Sequence, residues 1–277
     1  MGLWLRHRFP EHVDVAGMLA AGQFVYDDLS AVAEHDPYRA ATFVWFHREL
    51  REEPVVPGEV RVLHRDERLV VVDKPPFLST IPRGRHVQQS VVVRLRNALG
   101  LPELSPLHRL DRVTSGVLAL ATERRWRGPY QELFAHRMVT KTYLALAPYR
   151  SDLELPVTVR NHVTKIFGRM QAEVVPGAPV NAETLVELEE RRGQDAVYRL
   201  TPSTGRTHQL RLHLHGLGIA IHGDPLYPEV REVDVDDFGT PLQLLAHELA
   251  FTDPVDGTAR RFTSAMSLPV RAPSPVA

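Results

Sequence analysis

The stretch His108-Arg109-Leu110-Asp111-Arg112-Val113-Thr114-Ser115-Gly116-Val117-Leu118-Ala119-Leu120-Ala121-Thr122 joins a polar turn to an apolar run. The run, residues 116–122, has the length of a buried strand and is far too short to span a bilayer. The turn before it, Thr114-Ser115-Gly116, carries residues that bend the chain. A carboxylate at the mouth of a buried strand is held rigidly while it still faces a cleft. Asp111 stands there between Arg109 and Arg112, and nearby guanidinium groups favour its ionised form, as a nucleophile or base requires. The other reading is local: an ordinary turn Asp whose side chain bonds the backbone of Thr114 or Ser115.

Toward the N-terminus, residues 60–63 and 69–73 read as two β-runs with Asp66 and Glu67 at the turn between them, closed by Lys74-Pro75-Pro76. Residues 90–99 place Val91, Val92, Leu95 and Leu99 at helical spacing, with Gly100 where a helix C-cap belongs. Toward the C-terminus, 130–137 reads as helix and 141–147 as strand, with further strands near 170–175, 183–188 and 196–201. Leu210 and Leu214 predict a helix over 207–215 ended by Gly216. No repeat is visible at solenoid periods. Many strands interleaved with few helices predict an α+β domain on a mixed, largely antiparallel sheet with flanking helices. Residues 1–59 are acidic, rich in aromatics, and end in Glu52-Glu53-Pro54 and Pro57-Gly58, which reads as a linker. The expected division is an N-terminal extension or cap over 1–59 and a catalytic domain over 60–277.

Of 277 residues 43% are hydrophobic and 24% charged, enough apolar surface for a core and too little charge for default disorder. No apolar run is long enough for a membrane helix, and Arg6, Arg8, Glu11 and Asp14 interrupt any signal-peptide core. With no cysteine, disulfides and thiolate metal sites are excluded, and the cytoplasm is the default location. The net charge of −1 argues against indiscriminate coating of nucleic acid, but its distribution is uneven. Residues 83–137 hold ten Arg against four acids, whereas 225–258 hold eight acids against one Arg. Of 33 basic residues 30 are Arg, which suits bidentate phosphate contacts and equally fits a bias in base composition.

Four segments stand out: residues 69–76, residues 108–116, Lys141-Thr142-Tyr143-Leu144-Ala145, and Gly205-Arg206-Thr207-His208-Gln209-Leu210-Arg211-Leu212-His213. A fifth, Ile221-His222-Gly223-Asp224-Pro225-Leu226-Tyr227, follows the fourth. In order and spacing they resemble the RluA-type pseudouridine synthases, over roughly residues 60–257. The resemblance implies a pseudouridine synthase fold with a central RNA-binding cleft, an isomerase of uridine in structured RNA, and no metal or organic cofactor. It implies Asp111 as the catalytic carboxylate, Arg206 as its ion-pair partner, and Tyr143 against the target base, where it helps remove the C5 proton. Arg109 resembles the residue that fills the gap left by a flipped nucleotide. Lys74, Arg112, Arg124 and Arg125 are assigned to RNA contact. Without the resemblance, Tyr143 reads as a core aromatic of a strand, and Arg206 as a phosphate-binding or solvated Arg.

The sequence departs from the family pattern at Phe77, where Gly is usual, at Pro228 after Tyr227, and at Asp253, where His is common. His208, His213, His215 and His222 lack the i, i+4 spacing of a zinc helix and are read as structural or RNA-facing. Ser203-Thr204-Gly205 lacks the Gly-Lys-Ser/Thr core of a phosphate loop. The expected substrate is ribosomal RNA first and transfer RNA second, and the expected state a monomer. The alternatives are an RNA-binding scaffold without turnover and, more remotely, a metal-dependent hydrolase on the His cluster.

Overall fold

The computed structural model describes residues 1–10, 13–46, 52–82, 86–234 and 236–270. Two compact units divide the chain, Met1–Glu52 and Glu53–Ala277. In the first, helices α1 (Gly2–Arg8) and α2 (Val15–Ala20) and the antiparallel strands β1 (Phe24–Tyr26) and β2 (Val44–Phe46) enclose Leu5, Val15, Leu19, Phe24 and Val32. The boundary lies before Glu53 rather than after Glu59, for a reason that composition does not reveal. The Glu53 carboxylate accepts the backbone N–H groups of Val87, Gln88 and Gln89 at 2.8–3.0 Å, and Val56 is fully buried in the second unit's core.

The second unit opens with the hairpin β3 (Arg61–Arg65) and β4 (Leu69–Lys74). Asp66 closes its turn by accepting the N–H groups of Arg68 and Leu69 at 2.8 Å. Every residue of β4 is buried, as a strand covered on both faces must be. Helix α3 (Val91–Leu99) begins at a Ser90 cap and ends at Gly100, whose φ of 65° is the left-handed C-cap that the sequence predicts. After β5 (Ser105–Pro106) comes the buried β6 (Ser115–Ala121). Helix α4 (Arg124–Ala135) starts earlier than expected, carrying Pro129 in its second turn, because Tyr130 and Leu133 bury one face together with β6.

Next come β7 (Thr140–Pro148), β8 (Val157–Asn161), the short pair β9 (Val163–Thr164) and β10 (Glu173–Val174), then β11 (Ala182–Arg192) and β12 (Asp195–Pro202). Helix α5 (Gln209–Gly216) precedes β13 (Leu244–Thr252) and β14 (Ala259–Thr263). The main sheet runs β3-β4-β6-β13-β7-β12-β11-β8, with β14 on β13 and β5 on β6. Among the strands of the described residues only β13 and β6 pair in parallel, so the sheet is mixed and largely antiparallel as expected. At that parallel junction Gly116 has φ 109°, and a Cβ there would lie 2.2 Å from the Ala246 carbonyl oxygen. Glycine is the one residue that fits. No helix among the described residues is long and apolar enough to cross a membrane.

Candidate active site

The turn between β5 and β6 is clamped from two sides. Lys74, at the end of β4, is fully buried, and its Nζ donates to the carbonyls of Pro75, Leu78 and Arg112 at 2.9, 2.8 and 3.0 Å. Burial pulls its pKa down to about 7; the Asp111 charge opposes this and Arg112 adds to it. Three acceptors match the three hydrogens of an ammonium, whereas an amine would satisfy only two, so the geometry favours the charged form. On the other side the Thr80 hydroxyl donates to the Leu110 carbonyl at 2.9 Å and accepts the Leu110 N–H at 3.2 Å. Within the turn it is the Asp111 backbone carbonyl that takes the Thr114 N–H, at 3.1 Å. The carboxylate is left out of the turn's bonding, and the local reading of Asp111 does not hold.

That carboxylate faces Arg211. The side chain of Asp111 is 33% exposed, and its Oδ2 lies 3.3 Å from Arg211 Nη1. Arg211 is itself 2% exposed and grips Asp224 with two parallel bonds, Nε to Oδ2 at 2.7 Å and Nη2 to Oδ1 at 2.6 Å. Burial pulls the Arg211 pKa down, but the bonds and charge of Asp224, then the charge of Asp111, outweigh it and hold the guanidinium above its ordinary value. Asp224 Oδ1 also accepts the N–H groups of Leu226 and Tyr227, so the whole pair is built into the fold. Among the described residues no hydrogen bond engages Asp111 Oδ1, which is left to the cleft.

The cleft encloses about 960 Å³. Nine Arg and Lys side chains line it against two Asp, although the protein as a whole is net −1. Tyr143 of β7 lines it beside Asp111, and burial, then the Asp111 charge, pushes the phenol pKa well above its ordinary value. His108 is also there, its ring stacked 4.9 Å from Phe134 and its Nε2 accepting the Ala119 N–H at 3.2 Å; burial, then Lys141, takes its pKa down to about 3.

The sequence matches the family model for RNA pseudouridylate synthase over residues 68–216, which contains Asp111, Tyr143 and Arg211. The chain belongs to that family. It is 34% identical over 218 residues to pseudouridylate synthase RPUSD2 of Homo sapiens, an alignment that covers 78% of this chain and 38% of that protein. With the dual-specificity RNA pseudouridine synthase RluA of Yersinia pestis it shares 31% over 210 residues, 73% of this chain and 96% of the other. The solved structure of human RNA pseudouridylate synthase domain containing 1 matches with a TM-score of 0.61 at 25% identity, covering 78% of this chain and 86% of that one. The chain thus spans well under half the length of RPUSD2, whereas RluA is covered almost whole.

Within this family frame the fold corrects three expectations. Arg206 is not the partner of Asp111: it precedes α5, is exposed, and gives its Nε to the Asn181 carbonyl at 3.2 Å. Arg211, inside the helix, takes that place. The sequence places Arg211 between Leu210 and Leu212, but only the fold shows that the six residues Gln209 to Leu214 are all buried, and a buried guanidinium requires carboxylates. Lys74 cannot touch RNA, since all its hydrogens are spent on the clamp. Arg124 and Arg125 do not line the cleft; Arg125 pairs with Glu67 and Glu123 and lies 4.6 Å over the Trp126 ring. Arg109 and Arg112 do line it, and Arg112 lies 5.9 Å over Phe77. Arg83 and Arg85 fall outside the described residues. Phe77, where the family resemblance implies Gly, has a φ of 67°, a conformation that glycine adopts without strain. Here a buried ring packed on Phe238 at 5.7 Å offsets the backbone strain. His213 is fully buried between Thr184 and Asn161, at 2.9 and 3.0 Å. Among the described residues no cluster of metal-ligating side chains is found.

Proposed function

We propose that this chain isomerises uridine to pseudouridine in structured RNA, with Asp111 as the reacting carboxylate. The observation that carries the reading is a carboxylate at the wall of a cationic cleft, anchored through one oxygen by a buried Arg211–Asp224 pair and open at the other. The reaction breaks the N1 glycosidic bond, turns the uracil in the pocket, and joins C5 to the sugar. Asp111 begins it by attack at the sugar or base, or by moving a sugar proton. Arg211 holds Asp111 in place through one carboxylate oxygen, the role first assigned to Arg206. Tyr143, a protonated phenol at neutral pH, packs against the base. Arg109 and the other cleft cations hold phosphates and offset the few kcal/mol of taking a base out of its stack.

The substrate class is ribosomal or transfer RNA, and the protein works in the cytoplasm as a monomer without metal or organic cofactor. The names of similar proteins support an RNA substrate: one from Saccharomyces cerevisiae, 32% identical over 181 residues, is a mitochondrial tRNA pseudouridine(32) synthase. Mapping pseudouridines in total RNA from cells lacking the gene identifies the target. Asp111→Asn keeps shape and removes charge, so turnover is expected to vanish while RNA affinity stays close to wild type. A variant that still converts uridine at a substantial fraction of the wild-type rate refutes the assignment.

A further inference from the structure

His208 is one of three non-glycine residues lining the cleft, with Phe77 and Arg137, that are held at positive φ. It caps α5 with φ 58° and ψ 16°, a left-handed conformation that few non-glycine residues adopt, and such strain tends to persist where function requires a side chain in one place. Its side chain is 11% exposed and lines the cleft, with Nε2 3.9 Å from Asp111 Oδ2. Its Nδ1 lies 3.0 Å from the Tyr227 hydroxyl, which also lies 2.8 Å from the Ala172 nitrogen and 3.0 Å from the Ala172 carbonyl oxygen.

One assignment of hydrogens satisfies all three contacts. A phenol has one hydrogen to give and can accept two. The Ala172 nitrogen is always a donor and its carbonyl always an acceptor, so the Tyr227 hydrogen goes to the carbonyl. Nδ1 must then donate to Tyr227. In the neutral ring this leaves Nε2 bare, facing the catalytic carboxylate with no hydrogen-bond partner among the described residues. Burial, more than any neighbour, takes the ring's pKa down to about 4; Asp111 and Asp224 push the other way, while Arg211 and Lys165 add to the lowering. The ring is therefore neutral at pH 7. A bare nitrogen and a carboxylate oxygen turned toward each other repel until a proton comes between them.

We propose that His208, through Nε2, takes up the proton released from C5 of the base after C5 has joined the sugar. The inference rests on the isomerase reading above. Once the new carbon–carbon bond exists, C5 carries its hydrogen, the sugar and the C4 carbonyl, and C6 is doubly bonded to N1. The C5–H bond then breaks, its electron pair becomes the C5=C6 bond, and the C6=N1 pair moves onto N1. The proton forms an N–H bond at Nε2, where the Asp111 carboxylate stabilises the imidazolium. N1 takes up a proton through solvent as the imidazolium gives one back, so nothing is consumed. Tyr143 is poorly suited to this step, because its buried phenol holds its own hydrogen at neutral pH. The neutral imidazole has a free lone pair on Nε2, in the same cleft, with which to form the new N–H bond.

The backbone at 208 makes a clean test possible. His208→Gly relieves the left-handed strain and leaves an imidazole-sized hole, while His208→Asn also tolerates that conformation and cannot act as a base. Both are assayed on transcripts of the source cell's ribosomal and transfer RNAs made with uridine or with uridine deuterated at C5. The expected result is a rate lower by about 10²–10⁴-fold, a deuterium isotope effect larger than in the wild type because C5–H cleavage has become limiting, and partial recovery of His208→Gly by added imidazole. A full rate in the variants overturns the inference. So does a lower rate with an unchanged isotope effect and no response to imidazole, which marks a residue that only positions Asp111. A wild-type protein that converts none of these RNAs overturns the isomerase reading itself, and the inference with it.

Discussion

The most consequential residue of the candidate site, after Asp111, is Arg211, because three separately encoded motifs meet at its guanidinium. It is nearly inaccessible and holds Asp224 with two bonds and Asp111 with one. Removing one member of a buried ion pair leaves an uncompensated charge, which typically costs about 3–5 kcal/mol. Arg211→Ala is therefore expected to lose about that much stability in denaturant unfolding. Arg211→Lys should recover only part, since an ammonium lacks the fork that spans both Asp224 oxygens. Arg206→Ala, at an exposed position bonded to one carbonyl, should fall within about 0.5 kcal/mol of wild type. The same contrast appears in a double-mutant cycle: Arg211 and Asp111 should couple, whereas Arg206 and Asp111 should simply add. Equal losses from the two Arg variants would contradict the assignment.

Among the elements, β6 and β13 decide where Asp111 stands. Their parallel pairing, Ser115 with Leu245 and Gly116 with Ala246, sets the mouth of β6 against the centre of the sheet, and the clamped turn leads straight into it. Gly116→Ala would add a Cβ 2.2 Å from the Ala246 oxygen at a φ that only glycine tolerates well. Backbone strain of this kind costs about 1–3 kcal/mol, and the displaced strand adds to it. The variant is expected to lower the midpoint of thermal unfolding and to reduce turnover without touching a cleft residue. An unchanged midpoint would mean that the junction is softer than its geometry indicates. The sequence announces β6 clearly, as an apolar run after a turn. It does not announce β13, whose Leu-Leu-Ala-His-Glu-Leu-Ala is made largely of helix formers. Burial between β7 and β6 overrides that propensity. Helix α5 was legible from its Leu spacing, but which Arg it turns toward Asp111 was not.

At the scale of the whole molecule, charge and protonation are distributed so that acid and salt act on different parts. His213 and His208 have pKa values taken down to about 4, and His108 to about 3, each chiefly by burial. A depressed His pKa means that the unfolded chain binds more protons between the folded value and about 6.5, so stability rises with pH across that window. It is fully present above about pH 6.5 and is lost as pH falls toward 4. For His213, fully buried, the loss is on the order of 2–3 kcal/mol. His213→Gln, which cannot titrate, should flatten unfolding free energy against pH between 4 and 6.5; an unchanged slope would mean that His213 is not buried neutral. Salt should act through the cleft. Each phosphate neutralised contributes roughly 0.7–0.9 to the slope of log affinity against log salt. Substituting Arg109 or Arg169 by Ala is expected to reduce that slope by about one such step, whereas the Arg124→Ala, Arg125→Ala double variant should leave it unchanged. A flatter slope in the double variant would place RNA on the α4 surface instead.

Taken by itself, the sequence determined the family, the α+β class, the buried strand behind Asp111, and the Asp and Tyr that face the cleft. These rest on short-range patterns: motifs in order, a period of two in strands, and caps and turns within a few residues of each other. The tertiary structure alone decided which Arg meets Asp111, that Lys74 is a clamp, that residues 53–59 belong to the larger unit, and that a net acidic chain presents a cationic cleft. Each of these depends on which groups the fold removes from water. A guanidinium or an ammonium looks the same in sequence whether it is solvated or buried. Its role follows from the partners that burial obliges it to find, and those partners, Asp224 for Arg211 and three carbonyls for Lys74, are brought together only by the packed sheet.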